Sequence, residues 1–288
     1  MGIRENVSLK NYTTFRIGGK ARYFFVAKNK NEVIKAIEWA KNKNLPFFIL
    51  GGGSNLLVSD KGYNGLVIKI QNSNLKIQNY NSKSKIICEA GRPLSSLVEE
   101  TAKNNLTGIE WAAGIPGTVG GAIRGNAGAF GGSIADAVKL VEALDIKTAE
   151  TRFLKNKDCR FEYRNSIFKQ NKNLIIISAE FEFLKGVREK IKEKIKEHLD
   201  YRNQRHPKGP SAGSIFKNPE GFFARNLILE CGLGGRIIGD VAISREHANF
   251  IINLGGGQAE DVLKLIKLIK QKVKNKFGVK LEEEIQYL

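Results

Sequence analysis

Cysteine and histidine are both scarce in this 288-residue chain, with three of each, and neither type clusters. Cys88, Cys159 and Cys231 are odd in number and far apart, which excludes a disulfide framework and a cysteine zinc site. His198, His206 and His247 form no HExxH and pair with no cysteine, so no metal is expected. Long apolar runs are missing too: none reaches the length of about 18 residues that a membrane span needs, and Leu174–Ile177 suits a buried strand. The opening Met1-Gly2-Ile3-Arg4-Glu5-Asn6 has no apolar secretory core and no Ser or Thr at the sixth position for myristoylation, so a cytoplasmic protein is expected. Two nucleotide signatures are absent. No Gly-Lys-Ser/Thr closes Gly114–Ala122, and no GxGxxG joins a strand to a helix, which removes a P-loop kinase and an ordinary NAD dehydrogenase. Helix-turn-helix, RRM and zinc-finger patterns are absent as well, which argues against nucleic acid as a partner.

Acidic residues are few, 29 against 47 basic ones, giving a net charge of +18. An excess of that size suits either a polyanionic ligand or a lysine-rich solvated surface. Much of it falls on the solvated side, as in Lys190, Lys192, Lys194 and Lys196, which interrupt an apolar stripe. An apolar fraction of 42% is that of a globular protein.

Four segments have helical periodicity. Glu32–Lys43 follows Asn31 as N-cap and carries Val33, Ile37 and Ala40 on one stripe. Pro93–Asn104 opens on proline and repeats Leu94, Leu97, Val98 and Ala102. Val187–Arg202 spaces Val187, Ile191, Ile195 and Leu199 by four. Ala259–Phe277 aligns Val262, Leu265, Ile266, Ile269 and Val273 and meets Gly278 as a stop. Strands are predicted at Tyr23–Ala27, Phe47–Leu50, Leu66–Ile70, Lys85–Ala90, Val138–Ile146, Leu174–Leu184 and Phe250–Leu254. Weak alternation of the two types points to an α+β fold, with a boundary near Lys185-Gly186.

Two glycine segments stand out. In Gly51-Gly52-Gly53-Ser54-Asn55, three glycines follow an apolar strand and precede two small polar side chains. Backbone N–H groups in such a turn form a nest for an anion. A plain loop is the alternative, and it would waste backbone entropy. The second segment, Gly114-Ile115-Pro116-Gly117-Thr118-Val119-Gly120-Gly121-Ala122, continues to Asn126-Ala127-Gly128-Ala129. Together the two point to a large phosphate-bearing ligand.

The chain resembles the UDP-N-acetylenolpyruvoylglucosamine reductase (MurB) family over almost its whole length. The resemblance runs from Asn11–Gly19 through the two glycine segments, Tyr163-Arg164-Asn165-Ser166, Ala212-Gly213-Ser214-Ile215-Phe216-Lys217-Asn218-Pro219 and His247-Ala248-Asn249-Phe250 to Leu281–Ile285. It implies an FAD-binding fold of the p-cresol methylhydroxylase type, with two α+β subdomains over residues 1–70 and 71–185. An α+β substrate domain over 186–278 and a tail over 279–288 that returns to the active site would follow. No tyrosine occurs between Arg164 and Asp200, which fits the family's shorter subtype. The implied activity is reduction of an enolpyruvyl UDP-sugar, with NADPH as co-substrate and with FAD. Gly51–Asn55 and Gly114–Gly132 contain neither His nor Cys, so the FAD is expected to be noncovalent and a covalent flavin oxidase of the same fold is disfavoured.

The resemblance also assigns roles. Gly51, Gly52, Gly53, Ser54, Asn55, Gly114, Ile115, Pro116, Gly117, Thr118, Gly120, Gly121, Asn126, Ala127 and Gly128 are expected to hold the cofactor. Ser214 matches the proton donor, Arg164 the arginine that steadies the developing enolate, and Glu284 the last catalytic position. A turn residue, a surface ion pair and a solvated acidic tail are the ordinary alternatives for these three, and Glu283 replaces Glu284 if the tail slips by one. Tyr163, Lys208, Lys217, Asn218 and Asn249 are candidate substrate contacts. Arg124 and Asp240 depart from the small residues usual at their places. A monomer acting on small molecules, away from nucleic acid and membrane, is the expectation.

Overall fold

The computed structural model describes residues 1–288, and the chain divides into two units by the density of internal contacts. The first comprises Met1–Gly2, Phe25–Gly52 and Val67–Arg202; the second comprises Ile3–Phe24, Gly53–Leu66 and Asn203–Leu288. Both mix helix and strand, as the α+β reading expects.

The first unit is organised on a six-stranded sheet. Its order is Glu150–Lys155, Val138–Asp145, Leu174–Lys185, Lys83–Glu89, Leu75–Asn79, and Leu106–Thr107 also pairs with Leu174–Lys185. Every pairing in it is antiparallel. Lys83–Glu89 alternates cleanly, burying Ser84, Ile86 and Cys88. Val138–Asp145 does not alternate, because register shifts at Val138/Leu140 and Glu142/Ala143 re-aim its side chains. Helix Lys30–Asn42 buries Val33, Ala36, Ile37 and Ala40. Its cap is Asn29, not the expected Asn31: the Asn29 side chain accepts from Glu32 N, and the Glu32 carboxylate accepts from the N–H of the preceding residue, Lys28, at 2.7 Å, so that the two bonds fix the first turn. Helix Arg188–Arg205 also differs from expectation. Of the four-spaced stripe only Ile191 is buried, while Val187 and Leu199 are exposed. An apolar residue every fourth position among lysines and glutamates makes too narrow a face to bury more.

The second unit holds a four-stranded sheet with order Ser211–Ser214, Phe250–Asn253, Val241–Ile243, Ile237–Ile238. Helices Ala224–Glu230 and Ala259–Phe277 pack into its core, where Phe216, Ile228, Val262, Leu265, Ile269 and Val273 meet Leu281 and Ile285 of the tail. Ala259–Phe277 has the predicted bounds, and Gly278 ends it at φ 71°. Its start is capped from elsewhere in the unit, by the Asp60 carboxylate accepting from Ala259 N at 2.9 Å and Glu260 N at 3.1 Å. Arg4–Ser8 pairs antiparallel with the Lys20–Phe24 stretch, and the two-residue strand Gln286–Tyr287 runs parallel to Leu56–Leu57. No helix is long and apolar enough to cross a membrane.

Candidate active site

In the first unit the glycine segments are a backbone-on-backbone contact. A Cβ on Gly52 would stand 2.6 Å from Gly117 Cα, and one on Gly51 would stand 2.8 Å from Thr118 Oγ1. Gly120 is pressed equally hard against Ala90. Glycine is therefore required at 51, 52 and 120 by packing alone, a reason the sequence could not reveal. The contact leaves donors available: the N–H groups of Gly52, Gly117 and Thr118 make no hydrogen bond within the protein. Thr118 caps helix Val119–Arg124, its Oγ1 accepting from Gly121 N at 3.3 Å. Ile115 N donates to Ala112 O at 3.0 Å, turning the chain through Pro116, and Gly114 adopts φ 76° beside Arg202, whose Nε donates to Ala113 O at 2.8 Å. Lys69 is the residue the sequence reading missed: its Nζ donates to Gly51 O, and burial lowers its pKa. A single charged residue inside the apolar run Leu66–Ile70 was the available signal.

Arg164 is tied to the end of the same glycine region. Its Nη2 donates to Gly128 O at 2.9 Å, and its guanidinium carbon lies 5.2 Å from the Tyr163 ring centroid. The backbone at Arg164 is left-handed, φ 56°, inside a turn closed by reciprocal Glu162–Asn165 hydrogen bonds of 3.1 Å. A conformation of that kind costs about 1–3 kcal/mol and persists only where its surroundings fix it. Those surroundings are specific. Lys169 Nζ donates to Arg164 O at 3.0 Å, Ser166 Oγ to Arg124 O at 2.7 Å, and Asn126 Nδ2 to Glu162 O at 2.8 Å. Asn126 also accepts from Ala135 N, and Ala127 N bonds Ala122 O, so the Asn126–Gly128 run is rigid. Arg124 is itself half-buried, and the desolvation lowers its pKa. Tyr163 is exposed.

In the second unit the tail is laid beside the serine. Ser214 ends its strand opposite Phe250, after Gly213 at φ 76°. Ile215 N donates to Asn249 O at 2.8 Å, and the buried Asn249 amide closes on Phe216 from both sides, accepting from Phe216 N at 2.9 Å and donating to Phe216 O at 2.8 Å. Asn249 thereby fixes the backbone that carries Ser214. The tail then pairs with the same segment. Lys217 N donates to Glu282 O at 2.9 Å, Phe216 bridges Glu283, and Glu284 N donates to Ile215 O at 2.8 Å. Ser214 and Glu284 are thus brought within one residue of a shared backbone bond. Lys217 Nζ meets the Glu282 carboxylate at 2.5 Å, and Asn218 Oδ1 accepts from Ala224 N at 3.0 Å. Lys208 is exposed. Gly53 packs on the Tyr12 and Thr13 backbone at φ 64°, Ser54 and Asn55 follow it, and Asn55 Nδ2 donates to Glu284 O at 3.1 Å. The Asn55 Oδ1 is buried and accepts no hydrogen bond within the protein.

His247 sits at the edge of this group, its ring centroid 4.7 Å from that of Phe250 and 5.8 Å from that of His206. Burial, helped by the charges of His206 and Arg225, holds its imidazole at about 4. The unfolded chain, with a value of about 6.5, binds more protons between these limits. The stability contributed by neutral His247 is therefore fully present above about pH 6.5 and lost as the pH falls through 4. Urea unfolding of the wild type is expected to show falling stability across that window, and His247→Gln a shallower fall; equal slopes would contradict this.

Comparison with known proteins bears on the whole chain. Residues 204–288 match the family model of the UDP-N-acetylenolpyruvoylglucosamine reductase C-terminal domain, and residues 21–154 match an FAD binding domain. The UDP-N-acetylenolpyruvoylglucosamine reductase of Caldanaerobacter subterraneus is 43% identical over 98% of this chain and 92% of its own length. That of Clostridium novyi is 39% identical over 99% of this chain and 91% of its own. The crystal structure of the Thermus caldophilus MurB superposes with a TM-score of 0.83 at 36% identity, covering 99% of each chain. The chain belongs to the UDP-N-acetylenolpyruvoylglucosamine reductase family.

It is accordingly an FAD-dependent oxidoreductase with a reductase C-terminal domain. A reductase of this family must receive the diphosphate of FAD, and the residues present fit it. Unspent N–H groups at Gly52, Gly117 and Thr118 and a glycine-only contact suit an anion approached by backbone. The two buried thiols have no part in that chemistry. Burial pushes both Cys88 and Cys159 up to about 12, so they stay protonated.

Proposed function

We propose that this enzyme reduces UDP-N-acetylglucosamine enolpyruvate to UDP-N-acetylmuramate, with noncovalent FAD and with NADPH as hydride donor, in peptidoglycan precursor synthesis. The single observation that carries this reading is the backbone pairing of the Glu282–Ile285 tail with Ile215–Lys217, the stretch that follows Ser214 and that Asn249 braces.

FAD, when bound, supplies the hydride chemistry. Gly51, Gly52, Gly53, Ser54 and Asn55, the Gly114–Gly121 run, and Asn126, Ala127 and Gly128 are the residues that would hold it. The protein then has three tasks. Addition of hydride to one carbon of the enol ether builds negative charge on the other carbon and its carboxylate. Arg164 steadies that charge: its guanidinium forks onto a carboxylate, and one of its nitrogens is tethered to Gly128 O. Ser214 delivers the proton to the carbanion-like carbon, leaving an alkoxide that solvent reprotonates. A hydroxyl is a weak acid, so this works only because the group is immobilised within reach. Glu284 assists as a proton-bearing or arginine-paired carboxyl, since an unpaired anion would repel the enolate. Glu283 is otherwise engaged. Burial raises its pKa, but bonds from Lys270 Nζ and the Tyr287 hydroxyl, each 2.6 Å, outweigh this and hold it below the usual range. That engagement favours the register with Glu284 at the reacting centre.

Tyr163, Lys208, Lys217 and Asn218 are proposed to meet the UDP-sugar, the lysines matching its diphosphate, while Asn249 acts by positioning. The enzyme is proposed to work as a cytoplasmic monomer on small molecules alone.

The test uses the purified protein. Acid precipitation is expected to leave the yellow colour in the supernatant. Incubation with NADPH and the enolpyruvyl sugar is expected to give a product heavier by two hydrogens. Colour retained in the pellet, or an unchanged sugar, would contradict the proposal.

A further inference from the structure

The Glu284 peptide is held at both ends. Its N–H donates to Ile215 O at 2.8 Å and its carbonyl accepts from Asn55 Nδ2 at 3.1 Å. Three further bonds tie the same two stretches together: Gln286 N to Asn55 O at 3.0 Å, Leu288 N to Leu57 O at 3.0 Å, and Ser59 N to Leu288 O at 2.6 Å. Gln286 Nε2 adds a second donor to the Glu284 carbonyl at 3.3 Å. Ile285 is anchored in the core, while Glu284 on the next position is only partly covered. The carboxylate therefore gets its place from the strands on either side of it.

Asn55 is the shared member. It ends the Gly51–Asn55 turn, and its Oδ1 is buried yet accepts nothing from the protein. A buried acceptor of that kind is unfavourable unless a ligand supplies the missing donor. The same side chain thus faces both ways, one atom spent on the tail and the other open.

We propose that Asn55 is a positioning residue for Glu284, and that the Gln286–Leu288 strap couples FAD binding at the Gly51–Asn55 turn to placement of that carboxylate. The proposal rests on the reading above, in which that turn holds FAD and Glu284 lies at the reacting centre. Coupling of this type is reciprocal. If FAD tightens the strap, removing the strap weakens FAD by the same factor. Glu284 is then held in register more tightly in the loaded enzyme than in the apo protein.

Hydrogen exchange of the 281–288 segment, followed in the FAD-loaded and FAD-stripped full chain, tests the first half. FAD is expected to slow exchange of the Gln286 and Leu288 amides about tenfold or more. Deleting Gln286–Leu288 is expected to weaken FAD, read by flavin fluorescence, by a matching factor. Asn55→Asp keeps the shape, replaces the Nδ2 donor with an acceptor oxygen and adds a negative charge, so FAD content is measured with it. At saturating FAD it is expected to lower kcat about tenfold while leaving the KM for NADPH within about twofold. Equal tail exchange in the two states, or full kcat in Asn55→Asp, would overturn the proposal. The wild-type exchange comparison decides even if the deletion fails to fold. It uses no enolpyruvyl sugar, so its failure is separable from failure of the proposed reaction.

Discussion

Ser214→Ala is expected to lower steady-state turnover by about 10³-fold, within the range of about 10²–10⁴ that a positioned general acid contributes. Folding is expected to be nearly unaffected. The Ser214 hydroxyl is not part of the sheet: the strand is held by backbone pairing opposite Phe250, and the next residues are held by Asn249. Loss of one partly buried hydroxyl removes little stability. The large effect on rate with a small effect on melting is what separates a proton donor from a turn residue. Ser214→Ala with normal turnover would return this residue to the ordinary reading.

Arg164→Lys is expected to lower kcat about 10²- to 10³-fold, the usual scale for losing one preorganised donor to a developing oxyanion. The substitution keeps the charge and loses the geometry. A guanidinium can bond Gly128 O through one nitrogen and still present a flat face with other donors, whereas an ammonium is a point charge on a flexible stem. The left-handed backbone at this position is equally strained for either side chain, so the fold is expected to persist. FAD content and melting temperature check that, and steady-state rates check the effect. A lysine enzyme within threefold of wild type would mean that charge alone suffices and that the fork is irrelevant.

Much of the scaffold was legible because it obeys simple periods. Ala259–Phe277 came out at the predicted bounds since five apolar residues keep one face and Gly278 supplies the left-handed stop. Phe47–Leu50 was equally plain. The Asn29 cap was missed although Asn29 and Glu32 have the spacing of a capping box; Asn31, nearer the first apolar residue, looked the better candidate. Glu150–Lys155 escaped because it is an edge strand with little alternation, leaving even Phe153 exposed. Ser211–Ser214 could not be read as a strand from small residues of low strand preference. It is one because Phe250–Asn253 recruits it.

The candidate residues could be named from the sequence, and their arrangement could not. Motif strings marked Ser214, Arg164 and Glu284, but no local pattern says that a two-residue strand, Gln286–Tyr287, pairs with Leu56–Leu57 and so carries Glu284 to Ile215. The glycines of 51–55 and 114–121 pointed to a phosphate, yet half of their meaning is mutual contact. Asn249 looked like a ligand contact, and its amide is spent on Phe216. Long-range pairing and buried amide bonds are decided by the assembled chain, and sequence spacing does not encode them.

The most direct measurement separates the two halves of the reaction by rapid mixing with Ser214→Ala. Bleaching of the yellow colour by NADPH is expected at a rate within about threefold of wild type, because no proton is delivered to the sugar in that phase. Return of the colour on adding the enolpyruvyl sugar is expected to slow about 10³-fold. Colour returning at the wild-type rate would contradict the role given to Ser214 and with it the central account of this site.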